Sequence, residues 1–237
     1  MLELKNVEAA YGEGRVLFGI DMKIGNGEMV ALMGRNGMGK TTTVKTVMGM
    51  VKTAKGDITF KGERLTRLPS YKIARKGIGL APEGRQIFSG LTVKENLVAC
   101  GRSGHGNGRA GWSLESVYDL FPALAVREKI PGNRLSGGEQ QMLSISRALM
   151  TNPELLILDE ATEGLSPLVR AEIWSALEKL KNSGLSILVI DKNIEALSRS
   201  CDRIYIIEKG LVVWRGTAAE FRDEDIAMKF IAPEKQG

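Results

Sequence analysis

The chain has 237 residues with 43% hydrophobic and 26% charged side chains, the balance of one folded unit of mixed class and long enough for a main domain carrying a smaller subdomain. No run approaches eighteen consecutive apolar residues, and the Met1 start leads straight into charged, strand-like sequence, so neither a spanning helix nor a signal peptide is expected and the chain is placed in the cytosol. The net charge of +5 is scattered, without basic blocks interleaved with aromatics, so no nucleic-acid partner is expected.

Two antiparallel strands open the chain, Met1 to Val7 and Val16 to Ile24, the second alternating Ile20, Met22 and Ile24 with Asp21 and Lys23. Met29 to Met33 is short, continuously apolar and runs directly into GRNGMGKTT, which suits a strand buried on both faces that ends in a phosphate loop. A helix is expected to start near Gly39 and to occupy Thr42 to Met50. From about Leu91 to Pro131 the pattern is helical with no convincing strand, and with the LSGGEQ helix that follows, residues 91 to 150 read as an inserted helical subdomain. Within it, GRSGHGNGRAGW places glycine at 101, 104, 106, 108 and 111, too much backbone freedom to fold tightly alone; it reads as a mobile surface loop, with partner binding as the alternative. Leu155 to Leu158 and Ile187 to Ile190 read as further parallel strands of one sheet. Ile204 to Ile207 and Leu211 to Trp214 form a hairpin about Glu208-Lys209-Gly210. FRDEDIAMKF near the end reads as a short solvated helix. Cys100 and Cys201 lack metal-ligand spacing and read as small core residues of a reducing compartment.

Three segments carry chemistry. Gly34 to Thr41 matches G-x-x-x-x-G-K-[ST], a loop whose backbone N–H groups cradle a triphosphate. Lys40 reaches the terminal phosphates and the Thr41 hydroxyl reaches magnesium, while the glycines let the backbone approach without a side-chain clash. Its context agrees, because a strand precedes the loop and a helix follows it. LLILDE, residues 155 to 160, delivers two carboxylates to a sheet edge: Asp159 for the magnesium shell and Glu160 to take a proton from the attacking water or orient it. The alternative for both is a strand end capping the next helix. LSGGEQ, residues 135 to 140, precedes apolar residues at 142, 143, 145, 148 and 149, so Ser136, Gly137 and Gly138 sit at a helix N-terminus. That is a second anion site or simply an N-cap serine with two loop glycines.

GRNGMGKT, LSGGEQ and LLILDE in this order resemble the nucleotide-binding subunit of an ATP-binding cassette protein over essentially the whole chain. The resemblance implies an α/β P-loop NTPase fold of one domain, residues 1–237. Its core comprises about 1–90 and 151–237, with a mostly parallel sheet and an N-terminal antiparallel β-subdomain; about 91–150 form the inserted helical subdomain. It implies ATP and Mg2+ as cofactors, with Lys40 and Glu160 catalytic and with Gly34, Asn36, Gly37, Gly39, Lys40, Thr41 and Thr42 on the nucleotide; Thr41 and Asp159 hold the metal. It also implies a head-to-tail dimer, homo- or heteromeric, in which Ser136, Gly137 and Gly138 of one chain close over ATP held by the other. Tyr11 is assigned to stacking on adenine, with packing as the alternative. APEGRQIF at 81–88, SGLTVKENL at 89–97, RLSGGEQQMLSISRALM at 134–150 and ATEGLSP at 161–167 resemble the smaller ATPase subunit of branched-chain amino acid importers, and equally its relatives serving urea or short amides. That family implies a partner ATPase subunit and membrane permease subunits, a periplasmic binding protein that presents the solute, and a place at the cytoplasmic face of the inner membrane.

Two positions depart from the wider pattern. Glu83 stands where such cassettes commonly have glutamine, and the single histidine, His105, lies in the glycine-rich tract, so alignment by strand end puts Lys192 at the switch-histidine position. Lys192 either supplies a flexible positive charge to the terminal phosphate or points into solvent. Glu83 and the missing histidine predict slow hydrolysis, and Glu160 argues the opposite. An importer role is favoured on resemblance and on the argument that exporter cassettes are usually fused to their membrane domains. A soluble cassette acting on ribosomes or DNA usually carries a duplicated cassette or coiled-coil insertions, absent here. A non-catalytic regulator is the third possibility.

Overall fold

The computed structural model describes residues 1–102, 111–223 and 226. Two sheets organise them. The first is antiparallel: β1 (Leu2–Tyr11) lies between β2 (Gly14–Ile24) and β4 (Thr53–Phe60), with the two-residue β5 (Glu63–Arg64) at its edge. The second contains β3 (Met29–Met33), β6 (Ile78–Ala81), β7 (Leu155–Asp159), β8 (Ser186–Ile190), β9 (Arg203–Glu208) and β10 (Leu211–Thr217) in the order β10-β9-β3-β8-β7-β6. All its pairs are parallel except the β9–β10 hairpin. The helices are α1 (Lys40–Val47), α2 (Ser70–Arg75), α3 (Val93–Cys100), α4 (Leu114–Leu120), α5 (Pro122–Val126), α6 (Gly137–Met150), α7 (Pro167–Asn182), α8 (Ile194–Ser200) and α9 (Ala218–Asp223).

The unbroken apolar runs have a direct cause. Every residue of β3, β7 and β8 is buried, because successive side chains enter two different cores. Met29, Ala31, Met33, Leu156, Leu158, Ile187 and Val189 pack beneath α3 to α7. Val30, Leu32, Leu155, Ile157, Leu188 and Ile190 pack with α1 and the antiparallel sheet. The loops at the carboxyl ends of β3, β7 and β8 are thereby anchored by strands filled on both sides, at the edge where open α/β sheets bind ligands.

Several boundaries differ from the sequence expectation. β1 runs on to Tyr11, and β4, β5 and β6 had no signal strong enough to be expected. In β4 the run TAKGDITF is interrupted by Gly56, whose φ of +80° puts a hypothetical Cβ 2.2 Å from the Asn6 carbonyl oxygen, so only glycine fits where β1 shifts register against β4. Helix α1 begins at Lys40, just after its N-cap Gly39 as expected, and ends at Val47, short of Met50. In α6 the apolar positions 142, 143, 145, 148 and 149 are all buried, and the helix packs on α3 and on β6 and β7. Cys201 is buried, which pushes its thiol up to about 12, whereas Cys100 is only partly buried, 3.4 Å from Arg147 Nε. Residues 103–110 of the glycine-rich tract, with His105, and most of FRDEDIAMKF lie outside the described residues. Among those described, no helix is long and apolar enough to cross a membrane.

Candidate nucleotide site

The phosphate loop leaves β3 through Gly34, whose φ is +149° and whose hypothetical Cβ would lie 2.3 Å from the Ile207 carbonyl oxygen; the neighbouring strand β9 therefore admits no side chain there. The loop closes at Gly39, the N-cap of α1, and the first-turn N–H groups of that helix lack intrahelical acceptors. No acidic residue occupies that turn, so its dipole favours an anion. Lys40 is buried and folds back along the loop, its Nζ donating to the Gly34 carbonyl at 2.9 Å and the Arg35 carbonyl at 3.0 Å. Burial lowers its pKa, with Lys192 adding to the fall and Glu160, Asp159 and Glu163 opposing it. Asn36 and Gly37 are exposed at the loop tip and Thr42 is buried behind it.

The second strand end supplies the carboxylates. Thr41 Oγ1 donates to Asp159 Oδ1 at 3.3 Å, which joins the loop to the end of β7. Asp159 is buried; its pKa is raised first by that burial and then by Glu83, and the Thr41 bond only partly offsets this. A hydroxyl and an under-compensated carboxylate at this distance are the donor set of a hard divalent cation such as Mg2+, whose charge would relieve Asp159. Among the described residues, no group of three or more His, Cys, Asp and Glu forms a metal cluster. The remaining ligands of an ion here would therefore come from nucleotide and water.

Glu160 follows in a left-handed backbone conformation, φ +54°, its N–H donating to the Ile190 carbonyl at 2.9 Å. Its carboxyl is raised to about 7, chiefly by sharing a hydrogen bond with Glu163, then by burial; Lys192 and Lys40 pull the other way. The folded chain thus retains a proton that the unfolded chain loses between about pH 4.5 and 7, so this group's contribution to stability falls as pH rises through that window. The melting temperature of the wild type relative to Glu160→Gln is accordingly expected to be higher at pH 5 than at pH 8, checked by thermal unfolding across that range; a constant difference would contradict it.

Glu83 lies in the segment after β6, faces Asp159 electrostatically and is exposed. Lys192 lies in the turn after β8, where its ammonium hydrogen-bonds and ion-pairs with Glu163. Lys40, Thr41, Glu83, Asp159, Glu160 and Lys192 are thus brought to one sheet edge. Tyr11, 50% exposed, ends β1 and pairs with Gly14; Leu17 of β2, farther along the same hairpin, packs against the Gly39 position.

Ser136 does cap α6: its Oγ accepts from Glu139 N–H at 3.3 Å, and its own N–H donates to Glu139 Oε2 at 2.8 Å. Gly137 abuts the Arg85 guanidinium and Gly138 is buried against Val169 of α7. Arg85 also donates to Gln140 at 3.2 Å, tying this helix start to the 83–86 segment, where Arg85 and Gln86 both have positive φ. A cavity of about 390 Å³ lies between the Thr41–Asp159 pair, the segment after β6 and the second half of α6, lined by Thr41, Glu83, Gln86, Ser144, Arg147 and Asp159 among others; it does not reach Ser136 to Gly138. A larger one of about 1380 Å³ opens at the opposite end of the strands, near Glu154 and Leu185, away from these groups.

Three contributors had not been singled out from sequence. Asp191 is buried, and its Oδ2 accepts from Thr162 N–H at 3.1 Å and Thr162 Oγ1 at 2.5 Å, while Oδ1 accepts from Asn193 N–H at 2.9 Å; it locks the turns after β7 and β8 together. Its position directly after an apolar strand was the available signal. Glu163 is the second, and Asn96, inside α3, the third.

The ABC transporter family profile matches residues 17–163. The chain is 39% identical over 219 residues to the high-affinity branched-chain amino acid transport ATP-binding protein BraG of Pseudomonas aeruginosa, covering 92% of this chain and 94% of BraG. It is 34% identical over 240 residues to the lipopolysaccharide export system ATP-binding protein LptB of Escherichia coli, covering 98% of each. Among solved structures, the ATP-binding cassette MJ1267 superposes with a TM-score of 0.84 at 22% identity, covering 98% of this chain and 99% of that one. The chain belongs to the ABC transporter family and is an ATP-binding, ATP-hydrolysing subunit of a transporter.

Proposed function

We propose that the chain powers an importer of branched-chain or other hydrophobic amino acids. The observation that carries this is its 39% identity, nearly end to end, to BraG, above its 34% identity to LptB. An unfused cassette does not by itself mark an importer, since LptB, named for an export system, aligns over 98% of its own length. In this reading Lys40 and the N–H groups of Gly34 to Thr42, Asn36, Gly37 and Gly39 included, hold the phosphates, and Tyr11 stacks on adenine. Thr41 and Asp159 hold Mg2+, which would neutralise charge on the phosphates. Glu160, as the carboxylate, takes the proton of the attacking water at its Oε, and Glu83 and Lys192 face the terminal phosphate. Ser136, Gly137 and Gly138 close over nucleotide on a second ATPase subunit, head to tail.

Residues 91–150 act as the helical arm, and the segment from Glu83 to Leu97 meets the permease subunits at the cytoplasmic face of the inner membrane; a periplasmic binding protein delivers solute from the other side. Uptake of labelled leucine by source cells lacking the chain is expected to be lost and to be restored by the wild type but not by Lys40→Ala. Loss of urea uptake instead would keep the motor and change the solute. The second reading, lipopolysaccharide export, rests on LptB and predicts normal leucine and urea uptake with a leaky outer membrane.

A further inference from the structure

We propose that Glu163 is a positioning residue that holds Lys192 back from the terminal phosphate, and thereby sets how far the site favours ATP over ADP. This rests on the reading of the phosphate loop as the triphosphate site. Strands β7 and β8 are neighbours in register, Asp159 opposite Ile190, so the turns that follow them leave the sheet side by side. Asp191 fixes both turns by accepting from Thr162 in one and from Asn193 in the other. Lys192, between Asp191 and Asn193, and Glu163, next to Thr162, then meet in a hydrogen-bonded ion pair. Their backbones are held and only their side chains can exchange partners.

Lys192 is also within electrostatic reach of Lys40, whose pKa its charge helps to lower, so the lysine sits over the same phosphate-binding region while bound to a carboxylate. The two side chains are 44% and 47% exposed, and ion pairs of that exposure contribute little, so a multiply charged terminal phosphate can take Lys192 from Glu163. The exchange nevertheless breaks an existing bond and leaves Glu163 facing the phosphates. Its cost falls on ATP, whose terminal phosphate Lys192 would reach, and not on ADP, which lacks that phosphate. An oriented imidazole would need no such restraint, whereas a lysine on a flexible stem does. Glu163 therefore acts as a counter-ion particular to a site whose switch position carries Lys192.

The test is isothermal titration of the full-length chain with ATP and with ADP, in EDTA so that hydrolysis is blocked. Glu163→Gln is expected to raise the ATP-to-ADP affinity ratio three- to tenfold, Lys192→Met to lower it, and Glu163→Gln added to Lys192→Met to change it by less than twofold. Glu163→Ala serves as a second variant if the first unfolds. An unchanged ratio in Glu163→Gln, or the same shift with Lys192 absent, would overturn the proposal, the latter because it would mean plain repulsion of nucleotide by Glu163. If the wild type bound neither nucleotide, or Lys40→Ala bound ATP as well as the wild type, the reading of the site itself would fall too.

Discussion

Replacing Glu160 by glutamine is expected to lower ATP turnover by about a hundred- to ten-thousand-fold, the range lost with a positioned general base, while nucleotide still binds. The expectation follows from where the side chain is held. The end of β7 is buried on both faces, Asp159 is tied to the phosphate loop through Thr41, and the next residue turns out of the sheet in a left-handed conformation, fixed by its N–H bond to Ile190. Glutamine preserves the size and can still hydrogen-bond to Glu163, but it cannot accept a proton. The proposed phosphate-binding groups, Lys40 and the start of α1, are left in place, so ATP should accumulate on the protein and hold two subunits together, visible as an ATP-dependent dimer in size-exclusion chromatography. Turnover within threefold of the wild type would assign the base elsewhere.

The second large effect is structural. Asn96 is fully buried, and with the Thr92–Glu95 capping box its side chain holds the segment from Phe88 to Thr92 onto α3: Oδ1 accepts from Phe88 N–H at 2.9 Å, and the two Nδ2 hydrogens are shared among the carbonyls of Phe88 at 2.9 Å, Leu91 at 3.0 Å and Thr92 at 3.0 Å. Asn96→Ala leaves the Phe88 N–H without its acceptor, at a cost of about 1–3 kcal/mol if it stays unsatisfied, and opens a cavity under the loop, whereas the carbonyls of Phe88, Leu91 and Thr92 keep the N–H groups of Leu91, Gly132 and Asn96. A net loss of about 2 kcal/mol is therefore expected in urea unfolding. Asn96→Asp keeps the acceptor but buries a charge and should be no better. Because this segment is the proposed permease contact, the variant should retain ATP binding by the isolated chain and lose transport. A loss under about 1 kcal/mol would show that the loop is held by other means.

These two residues mark the limits of what the sequence makes legible. Glu160 could be read because a charged pair ending a run of apolar residues announces a strand edge, and GRNGMGKTT could be read because its spacing reports backbone geometry. The apolar positions of α6, the β9–β10 hairpin and Ser136 at a helix start were legible for the same reason, since each is a local pattern. Asn96 was not, because an asparagine that turns back onto the loop before its helix looks like any polar residue on a helix. Nor was the Glu163–Lys192 pair, which exists only because two strands far apart in sequence are adjacent in the sheet. β4 and β6 failed for another reason: β4 is broken by a glycine that its neighbour requires, and β6 is four residues long.

The division of β3, β7 and β8 between two cores has a consequence for how such a chain can change over generations. Alternate side chains serve opposite layers, so gain or loss of a single codon inside residues 29–33, 155–159 or 186–190 would send every following side chain of that strand into the wrong layer. The same frameshift in space would carry Gly34, Asp159 or Asp191 off the sheet edge. Packing and chemistry are therefore written in one count of residues, and these strands are open to substitution but closed to insertion and deletion.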